Sequence, residues 1–63
     1  MTDLDMLYDY YTSVNLAAGG YASISSRVKD DKLEKAFRDL TKAVMTESRE
    51  AAGMVISLGG TIT

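Results

Sequence analysis

The amino-acid sequence predicts an all-α protein: an antiparallel two-helix hairpin, over about 3–28 and 32–58, that dimerises into a four-helix bundle. Three observations carry this. There is no proline anywhere in the chain, which favours long helices. Apolar residues recur at alternating spacings of 3 and 4 in two long runs, the heptad pattern of packed helices. The link between the runs, Lys29-Asp30-Asp31, is short enough to make the helices antiparallel neighbours.

The first helix begins at Thr2-Asp3-Leu4-Asp5, which offers a capping residue, and the carboxylates of Asp3 and Asp5 suit the positive end of a helix dipole. Its seam is Leu4, Leu7, Tyr11, Val14, Ala18, Tyr21, Ser25 and Val28. The adjacent glycines Gly19 and Gly20 fall inside this run. Their usual meaning is a turn. The heptad phase nevertheless continues through them unshifted, so the expectation is one continuous helix rather than a break. Two mid-helix glycines cost about 1 kcal/mol each relative to alanine. The cost is offset if another backbone approaches the patch of small residues from Ala17 to Ser26.

The second helix opens with Asp31 followed three residues later by Glu34, a capping-box signature. Its expected seam is Leu33, Phe37, Leu40, Val44, Glu47, Ala51, Met54 and Leu58. Symmetry about the turn pairs Val28 with Leu33, Tyr21 with Leu40, Ala18 with Val44 and Tyr11 with Ala51. Gly59 is the expected stop, and residues 60–63 read as a short extended tail.

A chain of 63 residues forms one domain, 1–63, and buries only about 60% of its unfolded surface. Such chains usually need a disulfide, a structural metal or a partner. There is no cysteine and no histidine, which removes disulfides and the commonest zinc ligand and leaves association. The second helix is apolar almost all round near its end, and the first adds Met6, Tyr10, Ala17 and Ile24 beside its seam. A lone hairpin covers only the seam, so a contact with another chain is expected. The residues expected at that interface are Ala18, Gly19, Ala22 and Tyr10 on the first helix and Met54, Val55 and Leu58 on the second. Asp3, Asp5 and Asp9 mark the open end, whereas Arg27, Lys29, Lys32, Lys35, Arg38 and Lys42 gather toward the turn. Packing two hairpins with their turns at opposite ends brings unlike charges together in an isologous two-fold dimer.

Other classes of function find little support. A net charge of −2 argues against nucleic acid as a partner. The longest mostly apolar stretch, 51–58, is far short of the roughly 20 residues that span a bilayer. The start, Met-Thr-Asp-Leu-Asp-Met, lacks the features of a signal peptide, so a soluble cytoplasmic protein is expected. No serine has a histidine to activate it, and no enzymatic activity or cofactor is expected. Glu47 is the only charged residue on either expected seam. It reads either as a metal ligand, with Glu50 and the phenol of Tyr11 nearby, or as a half-buried carboxylate bonded to Tyr11 or Asn15 that fixes pairing register. Tyr11 and Tyr21 read as core residues, while Tyr8 and Tyr10 lie off the seam and suit an intermolecular surface.

Two stretches carry a resemblance. MLYDYYTSVNLAAGGY at 6–21 resembles the first helix of CotF-type spore coat proteins. The stretch 20–60 is similar to the hairpin of small ferritin-like bacterial proteins, with its Arg-Val-Lys-Asp turn, its Leu-x-x-x-Phe-x-x-Leu helix and its closing Leu-Gly-Gly. The resemblance implies a ferritin-like bundle and a coat or assembly role. The iron chemistry of that superfamily requires a Glu on one helix and Glu-x-x-His on the next. Here the first helix has no Glu and the chain no His, so the di-iron activity does not carry over. The expected function is therefore a non-enzymatic, self-associating structural protein of cytoplasm or spore coat. The alternatives are a degenerate ferritin-like metal-binding protein and a small regulatory protein that presents the apolar second helix to another protein.

Overall fold

In a computed structural model, which describes residues 1–62, the chain is a hairpin of two helices measuring 43 × 17 × 17 Å. Helix α1 spans Asp3–Arg27 and α2 spans Asp31–Ser57, and the two pack against each other along their length. Both expected boundaries hold to within one residue. Thr63, assigned with residues 60–62 to a tail, lies outside the described residues.

Thr2 starts α1 with a full capping box. Its hydroxyl accepts the Asp5 N–H at 3.1 Å, and the Asp5 carboxylate accepts the Thr2 N–H at 3.1 Å. The helix then runs unbroken through Gly19-Gly20 to Arg27, as the heptad phase requires. Val28 turns extended, and Asp30, one residue earlier than expected, caps α2 by accepting the Leu33 N–H at 2.8 Å. Asp31 is the first residue of α2, so the expected Asp31–Glu34 capping box does not form. Glu34 turns instead toward α1, where the Ser25 hydroxyl reaches its carboxylate at 3.4 Å.

The far end of α2 closes with a Schellman motif. The Gly60 N–H donates to the Val55 carbonyl at 2.9 Å and the Gly59 N–H to the Ile56 carbonyl at 3.0 Å. Gly59 takes φ +87°, a left-handed conformation that any side chain would strain. The tail does not project freely. The Tyr8 hydroxyl donates to the Thr61 carbonyl at 2.7 Å and accepts the Thr61 N–H at 2.8 Å, which clamps the chain after α2 onto α1. Gly60 is held to glycine by space rather than by its backbone angle. A Cβ would lie 2.8 Å from both the Tyr8 hydroxyl and Val55 Cγ1.

The α1 seam is the expected one: Val14 and Ala18 are buried and its other six members are half-buried. On α2 the register differs. Phe37, Val44 and Ala51 face α1 as expected, but their partners are Glu34, Thr41, Ser48 and Val55, each one residue after the expected Leu33, Leu40, Glu47 and Met54. Val55 is fully buried, while Met54 is 54% exposed. Tyr21 accordingly stacks at a tilt on Phe37, with ring centroids 6.0 Å apart, one turn from the expected Leu40.

Small polar residues explain this choice of register. Ser48, buried in the seam, donates to the Asn15 side-chain carbonyl at 2.7 Å, and Thr41 bonds back to the Phe37 carbonyl at 2.7 Å. Every buried polar side chain among the described residues thus finds a partner. The alternative rotation would have pressed the Glu47 carboxylate into the seam, where burying a charge is costly. Ala18, Ser48 and Ala51 also keep the helices close. The resulting core is thin, consisting of Val14, Ala18, Ala51 and Val55 with Ser48.

Candidate functional site

A hairpin with so thin a core leaves its larger side chains outside, and their placement defines two unlike faces. Ala22, Ser25 and Ser26 of α1 and Glu34, Arg38, Thr41 and Lys42 of α2 line one open groove of about 420 Å³. These residues therefore share a face. The residues on the other flank of each seam share the opposite face, because the two helices keep heptad phase along their whole contact. There α1 presents Met6, Tyr10, Ala17, Gly20 and Ile24, and α2 presents Leu33, Ala36, Leu40, Ala43, Glu47 and Met54.

The second of these faces is a continuous apolar surface. Met6, Tyr10, Ile24, Leu33, Leu40 and Met54 are each between 40 and 54% exposed. Six half-exposed large side chains on one side of a 63-residue chain form a patch of the kind that marks an interaction surface. Of its charges, Asp3 and Arg27 lie at the two ends of α1, while Glu47 and Glu50 stand in the second half of α2.

The groove is lined mostly by apolar surface, with Glu34, Arg38 and Lys42 supplying charge on its α2 wall. Arg38 stands 3.8 Å from Glu34, and Lys35 pairs with Asp39 at 2.8 Å, both one turn apart on α2. That pairing holds the exposed Asp39 carboxyl below the usual aspartate range, mainly through the hydrogen bond from Lys35. Lys42 has no carboxylate within 4.0 Å among the described residues. On the opposite wall Ala22 offers almost no side chain, and just before it on the same flank of α1 a Cβ at Gly19 would meet nothing within 4 Å.

The seven residues expected at an interface are thus divided. Ala18 and Val55 are buried between the two helices of the hairpin itself. Tyr10, Met54 and Leu58 are about half exposed, the first two on the apolar face. Gly19 and Ala22 are exposed but lie on the groove side. Tyr8, expected on an intermolecular surface, is engaged by the chain's own tail.

Glu47 is exposed rather than seated in the seam, and the hydrogen bond to Asn15 expected of it is made by Ser48. Glu47 and Glu50 lie together on exposed α2, and no three acidic residues come together in a metal-holding group among the described residues. No helix among the described residues is long and apolar enough to cross a membrane. What reasoning from the sequence missed is the groove. Its signal was available in Arg38 and Lys42, one turn apart on the flank of α2 that faces Ala22 and Ser26.

No protein-family model matches the chain, and neither curated proteins nor solved structures give a significant match.

Proposed function

We propose that this chain is a non-enzymatic structural protein whose hairpins associate through the apolar face into a two-fold dimer, a four-helix bundle of ferritin-like type. The supporting observation is the contrast between a core of four small apolar residues and the row of half-exposed Met, Tyr, Ile and Leu side chains outside it. Fully burying such a side chain is worth about 1.5–3 kcal/mol, so each of these still has roughly half that to gain. The charges on this face favour turns at opposite ends. Arg27 of one hairpin then comes to the end of the other that carries Asp3, unlike charge against unlike. The resemblance of 6–21 and 20–60 to spore-coat and ferritin-like hairpins points the same way, toward assembly as the function.

Sedimentation equilibrium tests this. A helical dimer at micromolar concentration is expected, and Leu40→Glu, which places a charge at the centre of the face, should shift it to monomer. A folded monomer throughout that range would overturn the proposal, as would a wild-type dimer that Leu40→Glu leaves intact.

A further inference from the structure

The groove lies on the side of the hairpin away from the apolar face, so a dimer formed through that face leaves it open. One wall carries two cations, Arg38 and Lys42, four residues apart on α2 and about 6 Å along the axis, with Glu34 3.8 Å from Arg38 and no carboxylate on Lys42 among the described residues. The other wall is nearly bare, with Gly19, Ala22 and Ser26 recurring on one side of α1. A bare wall admits a backbone closely, and a charged wall selects what that backbone carries. The fitting occupant is a helix with two carboxylates one turn apart.

The chain carries such a helix. Asp5 and Asp9 stand four residues apart on the outer edge of α1, both exposed, at the same spacing as Arg38 and Lys42. Only one oxygen of Asp5 is engaged, by the Thr2 N–H in the cap. No basic residue precedes Arg27 in the chain, so no side chain at this end of α1 neutralises its carboxylates. Setting Asp5 against Arg38 and Asp9 against Lys42 lays the incoming α1 parallel to α2. It then carries Leu16, 74% exposed and otherwise uncovered, onto the stretch between Met45 and Arg49.

We infer that the groove is a second self-association site, which receives the Asp5–Asp9 edge of α1 from another copy of the chain. The incoming α1 runs antiparallel to the α1 that forms the groove wall. The same operation therefore returns the first copy's Asp9 to the second copy's Lys42, and the contact is two-fold. It rests on the proposed dimer in this sense: with a two-fold contact on each broad face, assembly does not end at two chains but continues to tetramers and longer strands.

Charge reversal tests it with little effect on the fold. Asp9→Lys places a lysine four residues after Asp5, and Lys42→Glu places a glutamate four residues after Arg38, so each variant gains a favourable pair within its own helix. At low salt the wild type should sediment as species larger than a dimer. Either single variant should weaken that step about tenfold and accumulate dimer. The double variant should restore the larger species, and about 1 M salt, where the screening length is about 3 Å, should dissolve them to dimers. A wild type that stops at dimer under low salt overturns this inference and leaves the apolar-face dimer standing. Larger species that ignore both reversals overturn it as well. A helical wild-type monomer overturns the dimer and this inference together.

Discussion

Replacing Gly19 and Gly20 by alanine separates what the helix needs from what its neighbours need. Both positions are exposed within unbroken helix, and a Cβ at either would meet nothing within 4 Å. For the hairpin alone only backbone entropy and helix propensity change, worth about 1 kcal/mol per position. The double variant should gain about 2 kcal/mol. At about 4–8 °C per kcal/mol for a domain of this size, Tm should rise by roughly 8–16 °C. The single variants divide the question further, because Gly20 lies on the apolar face and Gly19 beside the groove. Thermal unfolding by circular dichroism at several protein concentrations is the assay, since association makes Tm depend on concentration. If another chain packs closely over Gly20, Gly20→Ala should raise the Tm of dilute protein yet weaken the dimer. Gly19→Ala should leave the dimer intact and disturb only larger species. A loss of helicity or of Tm in dilute Gly19→Ala/Gly20→Ala protein would refute the reasoning, because it would mean the backbone there is not helical.

Other substitutions probe the seam, the clamp and the caps. Val55→Ala should cost about 2 kcal/mol, whereas Met54→Ala should cost dilute protein almost nothing; the reverse order in urea unfolding would restore the register expected from the sequence. Tyr8→Phe removes both hydrogen bonds to Thr61 and should cost about 1 kcal/mol, with faster amide exchange at Thr61 as its local signature. Gly60→Ala must displace Tyr8 or the buried Val55 and should cost about 1–3 kcal/mol. The Asp5 carboxyl is held below its usual range, first by the Thr2 backbone N–H, and Asp39 is lowered by Lys35. Both carboxyls therefore ionise more readily folded than unfolded. Their contribution is complete above the ordinary aspartate range, shrinks as pH falls below it and is gone once pH has fallen through their lowered folded values. Asp5→Asn should flatten that acid limb, as followed by helicity against pH.

The hairpin was legible in the sequence because three signals agreed: absent proline, an unslipped heptad phase and a polar three-residue link. The rotation of α2 was not. Around Phe37, Val44 and Ala51, hydrophobicity alone favours the line through Leu33, Leu40 and Met54. The line through Glu34, Thr41, Ser48 and Val55 packs inward because its polar atoms find partners on α1 or in their own helix, whereas Glu47 would have carried a full charge into the seam. Such pairing depends on which residues of the other helix lie opposite, and periodicity within one helix does not carry that information. The clamp was hidden for a similar reason: Tyr8 and Thr61 are 53 residues apart, and only the length match of the two helices brings them together.

That clamp also fixes where anything attached to the hairpin must emerge. Thr61 is tied to α1 less than two turns from its capping residue, so both ends of the described chain leave from the same tip, opposite the turn. Two hairpins joined with their turns at opposite ends would carry these exits to the two poles of the bundle. Fusions or fluorophores added at one terminus of each hairpin in such a pair would be held apart by about the length of a helix.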